Sequence, residues 1–144
     1  MTAPETEKAA EPSQDDYALV AKAAAEVEAP DLPYRPPMPR DRSEPIALVG
    51  AGGISAAHLD AYARYGLNVV AICSRDLERA RARRDAYFPN ARVTDDFDSV
   101  LRDPNISVLD LTAHPDVRLD LMRRALKTDK HVLSQKPFVE NLDD

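Results

Sequence analysis

The stretch that most constrains this chain is residues 46–58, where an apolar run leads into a glycine-rich turn and then into a helical pattern. The chain has only 4 glycines, and three of them, Gly50, Gly52 and Gly53, fall almost together. Glycine lets the backbone turn tightly and approach a ligand closely. A buried strand, a glycine-rich turn and a helix start form the arrangement that holds the pyrophosphate of a dinucleotide.

The chemistry of this turn rests on the backbone. Residues Gly50, Gly52, Gly53 and Ile54 are predicted to present N–H groups at a helix start, where the helix dipole also favours an anion. The third glycine of the G-x-G-x-x-G pattern is replaced by Ser55, which is small enough for close packing of the helix on the strand. The alternative interpretation is a turn with a structural role alone.

Composition excludes several other classes of protein. The chain has 144 residues, 44% of them hydrophobic and 31% charged, with a formal net charge of −6. That charge argues against nucleic acid as a partner, and no apolar run is long enough for a membrane span or a signal peptide. A single cysteine, Cys73, excludes an internal disulfide and suits a reducing compartment, so we expect a cytoplasmic protein.

Residues 1–44 are predicted to be an N-terminal extension to a dinucleotide-binding domain at 45–144. We expect a disordered lead at 1–12, a short helix at about 13–28, and a stiff arm at 30–45 in which six prolines rule out a helix. The arm reads as a spacer over the domain surface, with recognition by a proline-binding module as the alternative.

From residue 45 onward, strand and helix patterns alternate with short connections. This order predicts an α/β fold, a doubly wound parallel sheet with strand order 3-2-1-4-5 and helices on both faces. The predicted strands are 46–49, 68–73, 92–94, 106–112 and 131–134, and the predicted helices are 54–65, about 76–87, a short one from 95 or 96, and 116–128. Residues 138–144 read as the start of another helix. The sheet therefore looks incomplete at its C-terminal edge, as in a fragment.

The end of the second strand carries the signal for the kind of nicotinamide cofactor. Ser74 stands where an acidic residue would accept the ribose hydroxyls, and Arg75 can offer a bidentate guanidinium to a 2′-phosphate. This predicts NADP or NAD, with NADP slightly preferred. Alternatively, Arg75 is a solvated residue and Asp76 only caps the next helix.

The fourth strand ends in a loop at the point where the cofactor of such a sheet lies. Thr112, His114 and Pro115 are therefore candidate cofactor contacts, although His114 alternatively caps the following helix. Asp110 is a charge inside an apolar strand, and we expect it to pair with an arginine such as Arg118 or Arg124.

The fifth strand is followed by Gln135 and Lys136, again at the carboxyl edge. Lys136 can hydrogen-bond a substrate hydroxyl or carbonyl and act in proton transfer, or it is a surface lysine. His58 is expected to face the helix interior or to cap locally. The three histidines lack metal-ligand spacing, so no metal site is predicted.

With the glycine turn, the helix start at 75–80 and the stretch Lys-His-Val-Leu-Ser-Gln-Lys-Pro at 130–137, the sequence strongly resembles the N-terminal cofactor domain of the Gfo/Idh/MocA oxidoreductases. The resemblance covers about 45–144 and implies a Rossmann fold. In that family the last motif reads Glu-Lys-Pro, so the lysine that contacts cofactor and substrate corresponds to Lys136, and the glutamate is replaced by Gln135. Asp129 stands where the family usually has glycine.

The resemblance also implies what lies outside these residues. In the family a C-terminal α+β domain, absent from this sequence, binds the substrate and supplies the oligomer interface. The implied function is the nucleotide-binding module of a homo-oligomeric NAD(P)-dependent oxidoreductase that acts on a sugar-like or cyclitol hydroxyl or carbonyl, with the isolated chain inactive. The alternative is a non-catalytic dinucleotide sensor, which the Gln135 substitution keeps open.

Overall fold

The computed structural model describes residues 27–28, 30–33, 37–141 and 143. The chain divides into two compact units, residues 1–32 and 33–144. The predicted disordered lead and nearly all of the predicted helix at 13–28 lie outside the described residues, as do residues 34–36 of the arm.

The second unit contains a five-stranded parallel sheet in the order β3-β2-β1-β4-β5, which confirms the predicted doubly wound α/β fold. The elements in chain order are β1 (Pro45–Val49), α1 (Gly53–Tyr65), β2 (Asn68–Cys73), α2 (Leu77–Tyr87), β3 (Arg92–Thr94), α3 (Phe97–Arg102), β4 (Val108–Leu111), α4 (Pro115–Ala125) and β5 (His131–Ser134).

The alternation of side chains along the central strands builds one apolar core on each face of the sheet. Ala47 and Val49 of β1 face one side with Leu109 and Leu111 of β4, where they pack against residues of α3 and α4. Ile46 and Leu48 face the other side, which α1 and α2 cover. The two faces together make a three-layer sandwich, and the carboxyl ends of β1, β4 and β5 meet at one edge.

The boundaries depart from the predicted ones mainly in the second half of the chain. β4 is shorter than the predicted 106–112, and α4 ends at Ala125 rather than at 128. No helix forms in the described residues among 138–144, which have bend, turn or irregular backbone, so that prediction is wrong for them. Val139 of this segment instead packs against the core on the face of the sheet that α3 and α4 cover.

The end of the proline-rich arm is fastened to the amino edge of the sheet. Arg42 donates to the carbonyl of Tyr65 at 3.0 Å, and the Asn68 amide donates to the carbonyl of Ser43 at 2.8 Å. The Ser107 hydroxyl donates to the Glu44 carboxylate at 2.6 Å. These contacts hold residues 42–44 against the domain, and the spacer role of the whole arm stays a prediction.

Among the described helices, none is long and apolar enough to cross a membrane.

Candidate functional site

The turn after β1 needs glycine at its first position for two reasons. Gly50 has a φ of +106°, which side-chain-bearing residues rarely adopt, and a Cβ there would lie 2.5 Å from the backbone N of Ala113. The Thr112 hydroxyl donates to the Gly50 carbonyl at 2.7 Å. Gly50 therefore lets the turn pack directly on the loop after β4, and the side chain of Thr112 braces it.

The second glycine of the turn has a different role. Gly52 is the N-cap of α1 with a φ of −69°, and a Cβ there would meet no atom within 4 Å. The space that a side chain would fill is open and faces the helix start. The fully buried Ser55 hydroxyl donates to the Gly52 carbonyl, so the serine at the third glycine position packs closely and is satisfied.

The start of α1 differs from the other helix starts of the domain. Asp76 caps α2 by accepting from the N–H of Arg79 at 2.9 Å, and Asp96 caps α3 by accepting from the N–H of Ser99 at 3.0 Å. For α1, no described side chain caps the helix, and its first turn holds no acidic residue. Its N-terminal N–H groups and dipole are thus directed at open space, where an anion would complement them.

A cleft of about 400 Å³ opens at this edge of the sheet. It brings together six of the predicted cofactor residues: Gly50, Gly52, Ser74, Arg75, Thr112 and His114. Gly53 and Ile54 follow directly as the first residues of α1, and Pro115 is the first residue of α4. Gln135 and Lys136 are not part of the cleft wall and lie in the loop after β5.

The end of the cleft beyond β2 carries charges of both signs. The exposed Arg75 and Arg79 line it, together with Asp76 and Asp95. The Ser74 hydroxyl accepts from the backbone N–H of Asp76 at 3.2 Å. Beneath them, burial raises the pKa of the Cys73 thiol to about 11, so the thiol at the cleft wall is neutral.

His114 is both a cleft residue and a helix cap. Its side chain is exposed, and its Nδ1 lies 3.4 Å from the backbone N of Asp116, from which the unprotonated nitrogen accepts, and 2.9 Å from the Asp116 carboxylate, to which the protonated nitrogen donates. The capping role that the sequence offered as an alternative is present, and it does not remove His114 from the cleft.

Arg118 does not pair with Asp110, so that expectation is wrong, and the same is true of Arg124, which binds Asp98 at 2.6 Å. The Arg118 side chain is 2% exposed and donates to the carbonyls of Ala113, Gln135 and Pro137. It therefore joins the loop after β4 to the loop after β5.

Asp110 is instead paired with residues of α1. Leu109 and Leu111 face the core beneath α4, and the alternation along β4 directs Asp110 to the opposite side. There its Oδ2 lies 2.7 Å from His58 Nδ1 and accepts from the Tyr62 hydroxyl at 2.8 Å. Asp110 is fully buried, and its Oδ1 has no partner among the described residues.

His58 also contacts the loop that carries the lysine. The Gln135 amide N lies 3.1 Å from His58 Nε2, and the amide oxygen of Gln135 accepts from the backbone N–H of Lys136 at 2.6 Å. The expectation that His58 faces the helix interior or caps locally is wrong. A polar chain of side chains runs from Asp110 through His58 and Gln135 to the backbone of Lys136.

The Asp110 carboxylate controls the titration of its partners. Its hydrogen bond raises the pKa of His58 above the ordinary histidine value, against an opposing effect of burial. Burial, together with the nearby carboxylate, raises the pKa of the Tyr62 phenol, so Tyr62 is a neutral donor. The carboxylate and the two donors thus form a partly buried polar cluster.

The contacts of His58 and Tyr62 with Asp110, and the contacts of Arg118 with the two loops, were not predicted from the sequence. The available signal was Asp110, a charge in an apolar strand, together with two polar side chains spaced four residues apart on one face of α1. Among the residues that the structure describes, no group of three His, Cys, Asp or Glu residues could hold a metal ion.

Comparison with known sequences assigns the family. A family model described as an oxidoreductase family with an NAD-binding Rossmann fold, GFO_IDH_MocA, matches residues 45–144. The chain belongs to this Gfo/Idh/MocA family, and residues 45–144 are its NAD-binding Rossmann domain. The chain is 30% identical over 100 residues to an inositol 2-dehydrogenase/D-chiro-inositol 3-dehydrogenase of Lacticaseibacillus casei, which covers 68% of this chain and 29% of that protein.

Solved structures show the same fold. The myo-inositol dehydrogenase of Lactobacillus casei, in complex with NAD(H) and myo-inositol, matches with a TM-score of 0.67 and 29% identity over 70% of this chain and 30% of that one. A 3-ketoreductase of Actinomadura kijaniata, in complex with NADP and TDP-benzene, matches in fold with a TM-score of 0.61 and 22% identity over 67% and 30%. The chain spans about 30% of the length of these relatives.

Proposed function

We propose that this chain binds a nicotinamide dinucleotide at the glycine turn, with the pyrophosphate against the N–H groups of Gly52, Gly53 and Ile54. The observation that carries the proposal is the start of α1, which lacks a described side-chain cap and opens on the cleft at Gly52. Backbone donors and the helix dipole together favour a phosphate there. The open space at Gly52 fits the close approach of such a group.

The test is a titration of the chain with NADH and NADPH, followed by nicotinamide fluorescence. We expect saturable binding of one dinucleotide per chain. Gly52→Asp should abolish it, because aspartate is a good N-cap that would occupy the same N–H groups and repel phosphate. The helix itself should be as stable as before, which circular dichroism checks. Gly66→Asn, at the other end of α1 in the left-handed conformation that asparagine tolerates, is the control that should keep binding.

Absence of saturable binding in the folded chain, or binding that Gly52→Asp leaves unchanged, would contradict the proposal.

For the finer choice of cofactor we propose a preference for NADP through Arg75, which is exposed and lines the cleft. A 2′-phosphate gains charge-assisted hydrogen bonds from an arginine. Arg75→Ala should weaken NADPH binding about tenfold and leave NADH binding nearly unchanged. Arg81→Ala, which removes an exposed arginine of α2 outside the cleft, is the matched control. Tighter binding of NADH than of NADPH, unaffected by Arg75→Ala, would refute the preference.

We further propose that an intact protein containing this domain transfers hydride between the nicotinamide and a sugar-like or cyclitol carbon. The relatives named for inositol dehydrogenation support this substrate class. Lys136 would hydrogen-bond the reacting hydroxyl or carbonyl, and His114 would lie near the nicotinamide ribose. Cofactor contacts by Thr112, Pro115 and Gln135, a homo-oligomeric state and a cytoplasmic location stay predictions.

One observation favours a second candidate, a dinucleotide sensor without turnover. Gln135 is uncharged and is engaged by His58 and by the backbone of Lys136, so it supplies no carboxylate to tune the lysine. A protein that includes the substrate domain decides between the two. Reduction of NAD(P) with inositols or sugars that is lost in Lys136→Met supports the enzyme, and tight dinucleotide binding without turnover supports the sensor.

A further inference from the structure

The loop after β5 places Lys136, and two side-chain systems hold this loop. Arg118 binds the carbonyls of Gln135 and Pro137. The Gln135 amide oxygen binds the N–H of Lys136 itself, and the amide N–H of Gln135 reaches His58 at 3.1 Å. The second system ends on His58, whose imidazole can gain a proton. The Arg118 guanidinium of the first system keeps its charge at every physiological pH.

Hydrogen-bond complementarity fixes the roles within this chain of contacts. The Lys136 N–H is a donor, so the Gln135 atom facing it is the amide oxygen, and the Gln135 amide N–H₂ therefore faces His58. The Asp110 carboxylate accepts at His58 Nδ1, so Nδ1 carries a proton. Nε2 must then be the acceptor for the Gln135 amide, which makes His58 a neutral imidazole in this arrangement.

We propose that His58 is a positioning residue for Lys136: its neutral imidazole, oriented by Asp110, sets the Gln135 amide so that this amide fixes the backbone N–H of Lys136. The proposal deepens the proposed function, since the position of Lys136 matters to chemistry only if this lysine meets a substrate. The coupling between His58 and the loop is a property of the chain alone.

Protonation of His58 is incompatible with this set of hydrogen bonds. A proton on Nε2 would face the Gln135 amide N–H₂, which is also a donor. If the amide turned to offer its oxygen to His58, its N–H₂ would face the N–H of Lys136. One of the two contacts is therefore lost in the imidazolium state, and the loop is then held by Arg118 without the complete His58–Gln135–Lys136 chain.

The groups around His58 define this titration. They are Asp110 from β4, Tyr62 on the same helix, the uncharged Gln135 from the loop after β5, and the exposed Lys136 that follows it. Asp60 and Arg64 of α1 pair with each other at 2.9 Å on the exposed face. The Asp110 carboxylate favours the imidazolium and the Gln135 amide opposes it.

The test is a pH titration of the 144-residue chain by NMR, without dinucleotide. The ring nitrogens of His58 report its tautomer and its midpoint, and the amide resonance of Lys136 reports the loop. Above the midpoint of His58 we expect a neutral ring with the proton on Nδ1, and we expect the Lys136 amide to shift with the same midpoint as His58. The exposed His131 is the internal control, and its titration should leave the Lys136 amide unchanged.

Two variants distinguish a role of His58 in positioning Lys136 from a role in packing alone. Gln135→Glu puts a second carboxylate on His58, which should raise the measured pKa of His58 by about 1 or more. His58→Phe removes the acceptor, and hydrogen exchange of the Lys136 amide should speed up about tenfold more than exchange in β1, which reports the stability lost when Asp110 loses this donor. A Lys136 amide that ignores the His58 titration and is unchanged in His58→Phe would overturn the proposal.

Dinucleotide titrations of the same samples keep the two proposals apart. Coupling of His58 to Lys136 without dinucleotide binding would contradict the proposed function and leave the positioning role intact. Dinucleotide binding without that coupling would overturn the positioning role alone.

Discussion

The glycine turn after β1 and the lysine loop after β5 lie at the same edge of the sheet and are built in opposite ways. The turn presents backbone atoms, and two of its residues are glycines whose lack of a side chain matters. Gly50 lies where a Cβ would be 2.5 Å from Ala113 N, and Gly52 leaves open space at the start of α1. The loop is held by side chains that come from α1 and α4, namely His58 and Arg118.

The glycine turn can thus bind a ligand through its backbone, whereas the position of the lysine loop depends on the charge of the side chains that hold it. A site made of backbone N–H groups keeps its charge distribution at every physiological pH. A loop fixed by an imidazole, an amide and a guanidinium depends on the protonation and presence of each group. The following substitutions test this division between backbone and side chains.

The largest effect is expected for Gly50→Ala. The methyl group would overlap the loop after β4 and require a φ of +106°, so we expect a loss of about 3 kcal/mol or more in the free energy of unfolding. Gly52→Ala is the matched control, since its Cβ meets open space, and it should cost about 1 kcal/mol or less. Denaturant unfolding of both variants measures the contrast. Equal losses would show that the two glycines do not differ in role.

Among the side chains that hold the loop after β5, removal of Arg118 in Arg118→Ala should lower the free energy of unfolding most. It removes the donor to the carbonyls of Ala113, Gln135 and Pro137, and we expect a loss of about 2 to 3 kcal/mol in the free energy of unfolding. Arg123→Ala, an exposed position on the same helix, should stay within about 0.5 kcal/mol of the wild type. A loss in Arg118→Ala no larger than in this control would remove Arg118 from the account of the loop.

A smaller effect is expected for Tyr62→Phe. Its hydroxyl is one of two donors to the buried Asp110 oxygen Oδ2, and the other oxygen already lacks a described partner, so we expect a cost of about 1 to 2 kcal/mol. Tyr65→Phe on the exposed part of the same helix is the control, with a change within about 0.5 kcal/mol. Thermal unfolding of both variants measures the difference, and a neutral Tyr62→Phe would mean that Asp110 does not need this donor.

The smallest expected effect is a pH dependence that His58 adds to stability. Because Asp110 raises the folded-state pKa of His58, the folded chain binds this proton more tightly than the unfolded chain. The resulting stabilisation is full below the unfolded value of about 6.5 and is lost as the pH rises through the higher folded value. The difference in unfolding free energy between the wild type and His58→Gln should therefore shrink above about pH 6.5. A difference that grows with pH would contradict the assigned sign.

The sequence predicted the fold, and it predicted which residues of the glycine turn lie together at the sheet edge, because both depend on local chemistry; their contact with a cofactor stays a prediction. Apolar strands, glycine positions and the end of the helix predicted at 54–65 are each set by neighbouring residues, and the strand order follows from right-handed connections. Six predicted cofactor residues line one cleft for the same reason. The helix predicted from 138 was wrong for the described residues, because a local pattern does not show that Val139 packs against the core outside a helix.

The side-chain half of the site could not be predicted in detail. The charge of Asp110 correctly indicated a partner, but which partner it meets depends on which face of β4 it occupies. That face is decided by packing across the sheet, 52 residues from His58 in sequence. The contacts of Gln135 with His58 and Lys136 likewise depend on how α1 and the loop after β5 come together in space.

The central claim is that the start of α1 holds the dinucleotide. The most direct measurement is an NMR titration of the isotope-labelled chain with NADPH, following every backbone amide. We predict that the largest shifts saturate at Gly52, Gly53 and Ile54, and that amides at the opposite edge of the sheet, such as Ser107 and Lys130, stay unchanged. Saturable binding that leaves the amides of Gly52, Gly53 and Ile54 unshifted would contradict the account.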